Sequence, residues 1–350
     1  MRRTVERSLV VILGAGASYD CHVGRFSQSP NTRWRPPLSK DLFSPYGAFQ
    51  SILRRYKYSV PVAAEFNRRI AQGNPDSSVE EFLRELQGKR DKIHKRQYLH
   101  VHLYLQDLLD NVSTSFFGDK RTPTAYTSLV DQIYGSSRGR RLQRVCFVSL
   151  NYDLLLEHAL ETQFGSAVNT MGSYIGLHRG WSLVKFHGSV NWGRRIQGEK
   201  AGPVSSGENA FSISSALIDT DFPLLENLED FVEVVDTSRV VHDEEPCYFP
   251  ALAVPVKGKY GAVCPDEHLG QMRKALSAKS VWLLAIGFSA QDQDLLDELK
   301  GAWPRLERMD IVSGSKEAAH DVCSRLRGAG LEPRALRHLG LEGSGFADYV

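Results

Sequence analysis

Four short apolar runs constrain this 350-residue chain more than any other feature: Leu9–Leu13, Val145–Leu150, Leu183–Phe186 and Val281–Ile286. They are continuous rather than alternating, which is the pattern of parallel strands covered by helices on both faces. Asp310–Val312 is a fifth, shorter candidate. Each of the four stops at small or polar residues: Gly14-Ala15-Gly16, Asn151-Tyr152-Asp153, His187-Gly188-Ser189 and Gly287-Phe288-Ser289. In open α/β sheets, ligands lie beyond the carboxyl ends of the strands, so chemistry is expected at these four endings.

The runs predict an α/β fold built on a Rossmann-type parallel sheet, with an inserted helical module and a smaller irregular insertion. The Rossmann core is expected at about residues 8–20, 143–192 and 278–330. Residues 21–142 read as mostly helical: Ser78 and Glu81 form a capping box ahead of Phe82, Leu83 and Leu86, and Tyr98–Leu109 places Val101, Leu105, Leu108 and Leu109 on one face. Residues 193–268 are richer in Gly, Ser, Pro and acidic residues and give no clear element. A further helix is expected near Lys316–Leu326.

Each ending admits a functional and a structural explanation. The glycines of Gly14-Ala15-Gly16-Ala17-Ser18 would let the backbone approach a diphosphate at a helix N-terminus, and they would equally suit a tight turn with no ligand. The dinucleotide fingerprint of dehydrogenases is incomplete, because its third glycine is Tyr19 and its acidic ribose ligand falls where the chain reads Arg33-Trp34-Arg35. Either arginine would suit a 2′-phosphate, with nothing in the sequence to place it there. Asn151 and Asp153 suit hydrogen bonds to ribose hydroxyls, an amide or water, or else they cap the helix that begins near Leu154. His187 is the side chain type best matched to proton transfer near neutral pH, although histidines after apolar strands often serve as structural hydrogen-bonders. Ser289 suits ribose or phosphate, while Asp292 and Asp294 suit capping of the helix through Leu295, Leu296 and Leu299.

Taken in order, these four elements resemble the sirtuin family, and within it the sirtuin-like NAD-hydrolysing domains of bacterial anti-phage defence systems. The resemblance covers about a third of the chain and leaves both insertions outside it. It implies that Gly14, Ala15, Gly16 and Ser18 hold the NAD diphosphate, and that Asn151 and Asp153 sit beside the nicotinamide and its ribose. It further implies His187 as the catalytic histidine, with Gly287, Phe288 and Ser289 facing the adenosine side. Two departures bear on the reaction. Sirtuin deacetylases carry a zinc module of two CxxC pairs after the histidine, whereas only Cys247, Cys264 and Cys323 follow His187 here, too few for a four-cysteine zinc site. Their arginine-bearing segment after the glycine turn is replaced by Val23-Gly24-Arg25-Phe26-Ser27. Peptide deacylation is therefore not expected, and water becomes the natural acceptor. The expectation is an NAD glycohydrolase with Asn151 and His187 catalytic and neither zinc nor another metal. The alternative is a non-catalytic NAD- or ADP-ribose-binding regulatory subunit.

A free-running NAD hydrolase would poison its own cell. The resemblance therefore implies gating by homo-oligomeric assembly or by a separate partner, such as a HerA-type ATPase or an Argonaute-like protein. A formal net charge of +2 gives no argument for a nucleic-acid surface. The basic stretches Lys89–Arg96 and Arg138–Arg144 read as solvated faces, and Asp243-Glu244-Glu245 as an exposed loop. The five cysteines are scattered, with no CxxC spacing. No run is long enough for a membrane span or a secretory signal, so a cytoplasmic location is expected.

Overall fold

The computed structural model describes residues 7–21, 35–72, 82, 85, 86, 88, 89, 91–117, 123–135, 144–176, 180–195, 230–235, 248–252, 263–331, 336–340, 346, 349 and 350. Its strands run in chain order as β1 (Arg7–Leu13), β2 (Arg144–Ser149), β3 (Trp181–Lys185), β4 (Gly188–Arg195), β5 (Glu233–Val234), β6 (Tyr248–Leu252), β7 (Ser280–Ile286), β8 (Leu306–Ser313) and β9 (Leu336–Gly340). The main sheet has the order β3-β2-β1-β7-β8-β9, and every pairing in it is parallel. Counting only its own strands, this is the order 3-2-1-4-5-6 of the doubly wound dinucleotide-binding folds. The chain has a Rossmann-type α/β fold.

The helices are α1 (Ala15–Tyr19), α2 (Gly47–Leu53), α3 (Ser59–Ala71), α4 (Lys92–Phe117), α5 (Ala125–Gly135), α6 (Leu155–Phe164), α7 (Met171–Tyr174), α8 (Asp266–Leu276), α9 (Gln293–Lys300) and α10 (Lys316–Gly328). Central strand β1 shows why its run is continuous: Val11 and Leu13 enter the core shared with α5 and α6, and Val10 and Ile12 enter the core shared with α8, α9 and α10. All four are fully buried. Burial of a side chain of this size stabilises by about 1.5–3 kcal/mol, so both faces of β1 contribute to holding the sheet between its helix layers.

A third core joins α2, α3 and α4 to Val190, Phe249 and Leu252 of the small antiparallel sheet β5-β4-β6. Helix α4 extends well beyond the predicted 98–109, because its buried face continues through Val112 and Ser113. Helix α5, inside the stretch read as an insertion, packs on the main sheet with α6. Strand β8 starts earlier than the predicted 310–312, and β9 was not anticipated at all. The Ser78–Glu81 capping box, Asp243–Glu245, Val23–Ser27, Cys247 and most of Arg138–Arg144 lie outside the described residues. Lys89, Lys92 and Lys95 of the first basic stretch are exposed. No helix among the described residues is long and apolar enough to cross a membrane.

Candidate active site

Register brings the four endings into one row. Leu13 lies level with Ser149 on one side and Ile286 on the other, and Ser149 lies level with Lys185. The ladder then continues one step past each strand: Gly14 N–H donates to Ile286 O at 3.0 Å, Leu150 N–H to Leu13 O at 2.9 Å and Phe186 N–H to Ser149 O at 2.9 Å. Gly14, Asn151, His187 and Gly287 therefore emerge together at the carboxyl edge, around the point between β1 and β7 where the strand order reverses.

At that point the backbone of β1's turn is pressed against the backbone after β7. Gly16 N–H donates to Gly287 O at 3.2 Å. A methyl group on Gly14 would lie 2.3 Å from Gly287 O, and one on Gly287 would lie 2.2 Å from Ala17 N. Gly287 also has φ +59°, a left-handed conformation that glycine adopts without strain. Close backbone packing thus requires both glycines, whatever ligand approaches them. Gly14 is buried, whereas Ala15 and Gly16 are half-buried.

Asn151 ties the end of β2 to this turn. Its Nδ2 donates to Gly14 O and to Ser18 Oγ, both at 2.9 Å, and lies 3.3 Å from Tyr126 Oη on α5. Ser18 Oγ and Tyr126 Oη are in turn 2.9 Å apart. The carbonyl acceptor at Gly14 fixes which end of the amide is nitrogen. Among the described residues Asn151 Oδ1 has no partner, so it is the end of the side chain left to accept from a ligand. Ser18 is buried with its hydroxyl turned into this network. Asp153 Oδ1 accepts from Leu155 N–H at 3.2 Å, a turn bond one residue ahead of the N-cap of α6, which is Leu154 and carries no side-chain capping bond.

Beneath these residues lies a buried ion pair. Lys185 at the end of β3 donates to Asp153 O at 2.5 Å and approaches Glu157 Oε1 of α6 at 3.1 Å. Burial pushes the Glu157 carboxyl above its ordinary value, opposed by the Lys185 charge. Tyr174 donates to the same carboxylate at 3.3 Å. Lysine and glutamate are almost never buried unless paired, and here the pair fastens the β2 ending to the β3 ending.

His187 itself sits at the mouth, with about 15% of its side chain exposed. Its Nε2 meets Asp292 Oδ2 at 2.5 Å, and the ring of Tyr152 stands 6.3 Å away. Asp292 is the N-cap of α9 through its other oxygen, which accepts from Leu295 N–H at 2.9 Å. Its burial disfavours charge, but the bond and charge of His187 and the backbone N–H groups of Leu295 and Asp294 outweigh this and hold the carboxyl below its ordinary value. Between Gly287 and Asp292 the chain bends through Ala290 at φ +55°, a left-handed residue with a side chain. Such a residue costs about 1–3 kcal/mol; it persists here because Ala290 is buried in the α8–α10 core. Phe288 is buried in the same core and offers only its backbone to a ligand, whereas Ser289 is exposed at the rim.

Of the residues singled out in the sequence, Gly14, Gly16, Ser18, Asn151, Asp153, His187, Gly287 and Ser289 are brought to this one edge. Arg35 is turned elsewhere: its guanidinium stacks on Tyr19 and pairs with Asp20 at 3.2 Å. Arg33 lies outside the described residues. Sequence reasoning missed Tyr126, Lys185 and Glu157 as parts of the site, and gave Asp292 only a capping role. A lysine and a glutamate within apolar surroundings were the available signal for the ion pair.

No family model matches the chain, and no curated protein matches it. Among solved structures, one described as "Structural Basis for the Mechanism and Regulation of Sir2 Enzymes" aligns over 93% of this chain and 94% of that chain, at 12% identity and a TM-score of 0.32. Likeness at that level carries no argument, and the functional reading rests on the strand order and the geometry of the carboxyl edge.

Proposed function

We propose that the chain binds NAD across the carboxyl edge between β1 and β7 and hydrolyses the bond between nicotinamide and ribose. One observation carries the reading: the four endings are aligned by register and joined by hydrogen bonds, with a carboxylate-held histidine at their mouth. The order of the motifs, which resembles sirtuin-like NAD hydrolases, supplies the substrate class.

Loss of nicotinamide leaves an oxocarbenium-like ribose, which water attacks. The carbon–nitrogen bond breaks with its electron pair going to nicotinamide, a carbon–oxygen bond forms, and one proton leaves the water. His187 accepts that proton; general base catalysis of this kind contributes about 10²–10⁴-fold. Asn151 accepts through Oδ1 from the water or a ribose hydroxyl. Asp153 is assigned to the nicotinamide ribose, Gly287, Phe288 and Ser289 to the adenosine side, and the Gly14–Ser18 backbone to the diphosphate. Binding the remote part of the substrate orients the reacting bond.

A second reading, a non-catalytic NAD- or ADP-ribose-binding regulatory subunit, is favoured by one feature. The Asn151 amide nitrogen is spent on Gly14, Ser18 and Tyr126, as a purely structural tie would spend it. The two readings separate when NAD is mixed with the protein and free nicotinamide is assayed beside calorimetric binding of ADP-ribose. Binding without release, including at high protein concentration, supports the binder and excludes the hydrolase as an autonomous enzyme. The role as an anti-phage effector, gated by self-assembly or by a HerA-type or Argonaute-like partner, rests on the sirtuin-like resemblance and on the toxicity of unrestrained NAD loss.

A further inference from the structure

We infer that Asp292 is the positioning residue of the site: it fixes His187 in the Nε2–H form, so that Nδ1 is the atom that takes the proton. The inference rests on the reading of His187 as the base, and goes beyond it by naming the residue that orients the histidine and the ring nitrogen that works.

Donor and acceptor roles decide the tautomer. An ionised carboxylate only accepts hydrogen bonds, so the nitrogen facing it must carry hydrogen. Oδ2 of Asp292 faces Nε2 at 2.5 Å, a close contact between a ring nitrogen and a carboxylate oxygen. In the neutral ring Nδ1 is then left with its lone pair, and a base acts through a lone pair. Asp292 cannot swing away freely, because its Oδ1 is held by Leu295 N–H at the start of α9. The left-handed residues Gly287 and Ala290 set the path of the loop that returns Asp292 to the β3 ending. Two side chains 105 positions apart in the chain are thus joined by a loop whose backbone is unusual at two places. A helix cap alone needs neither the second oxygen nor the strained alanine. Protonation of Nδ1 during turnover gives an imidazolium beside an ionised carboxylate, so the same contact that sets the tautomer also stabilises the charge that forms.

The test uses the full-length protein and does not depend on turnover. Long-range proton–nitrogen correlation spectra of imidazole-labelled protein, with the His187→Gln variant to assign the signal, report which nitrogen carries hydrogen. The expected result is a protonated Nε2 and a pyridine-like Nδ1 in the parent, shifting towards the Nδ1–H tautomer in Asp292→Asn, whose amide nitrogen then faces Nε2 and only donates. That variant retains an oxygen to cap α9, and Asp294→Asn on the same helix is the control expected to behave as the parent. Nicotinamide release by Asp292→Asn is expected to lose kcat by about 10²-fold, the lower end of what a general base contributes, with KM for NAD within twofold. An Nδ1–H tautomer in the parent, or an unchanged tautomer ratio in Asp292→Asn, overturns the inference while leaving NAD hydrolysis standing. A parent that shows the expected spectrum but releases no nicotinamide would instead contradict an autonomous hydrolase and keep Asp292 as the orienting residue.

Discussion

At the scale of single residues, the site is built from contacts that tolerate little change. Gly287 is the sharpest case. A methyl there meets Ala17 N at 2.2 Å, and the φ of +59° is strained for any side chain. Gly287→Ala is predicted to lower stability by at least about 2 kcal/mol, combining left-handed strain with overpacking against backbone. Urea unfolding checks this, and a variant as stable as the parent would contradict the close approach of the two turns. Asn151→Asp tests the neighbouring tie. It places a carboxylate oxygen against Gly14 O, so the variant is predicted to lose about 1–3 kcal/mol, the usual cost of leaving a buried polar group unmatched. If Asn151→Asp instead unfolds at the parent's urea midpoint, the nitrogen end of the amide does not face Gly14.

At the scale of elements, the β2 and β3 endings are fastened by Lys185 and Glu157, both almost fully buried. Removing one partner leaves the other charge buried alone, which typically costs about 3–5 kcal/mol, whereas replacing both with apolar residues restores most of it. Lys185→Met is therefore predicted to be severely destabilised and Lys185→Met/Glu157→Leu to recover; a double variant no better than the single would contradict the pairing. Helix α4 adds a pH dependence. Burial lowers His102 to about 4 from the ordinary 6.5, despite its bond to Tyr98 O. Below about pH 6.5 the unfolded chain gains a proton that the folded chain refuses, so stability present at neutral pH is lost as pH falls towards 4, by about 3 kcal/mol. His268, whose value burial also lowers, acts in the same direction. Urea midpoints measured from pH 7 to 4 should fall less steeply in His102→Gln; identical slopes would contradict this assignment. The same elements show what the sequence made legible. Strands β1, β2, β3 and β7 were readable because both faces are apolar, and their polar endings then marked the site. Strand β8 was only partly readable because Arg308 and Asp310 pair with each other inside the sheet, and Arg337 of edge strand β9 joins the same carboxylate. The Asp292–His187 and Tyr126–Ser18 contacts were not readable, because each joins positions more than a hundred residues apart.

At the scale of the whole molecule, the Rossmann-type sheet sets one row of strand endings, and α2–α4 with the small sheet build a second body of core beside it. If activity is gated by assembly, nicotinamide release per chain should rise steeply with protein concentration, in step with the mass seen by light scattering. Constant specific activity across that range would place the restraint outside self-assembly. The most direct test of the central claim is nicotinamide release from NAD by purified protein at high concentration, measured beside His187→Ala. Release is expected from the parent, with loss of about 10²-fold or more in a variant that stays folded, in keeping with the worth of a general base. Equal release by both proteins would contradict the assignment of His187 to the chemistry.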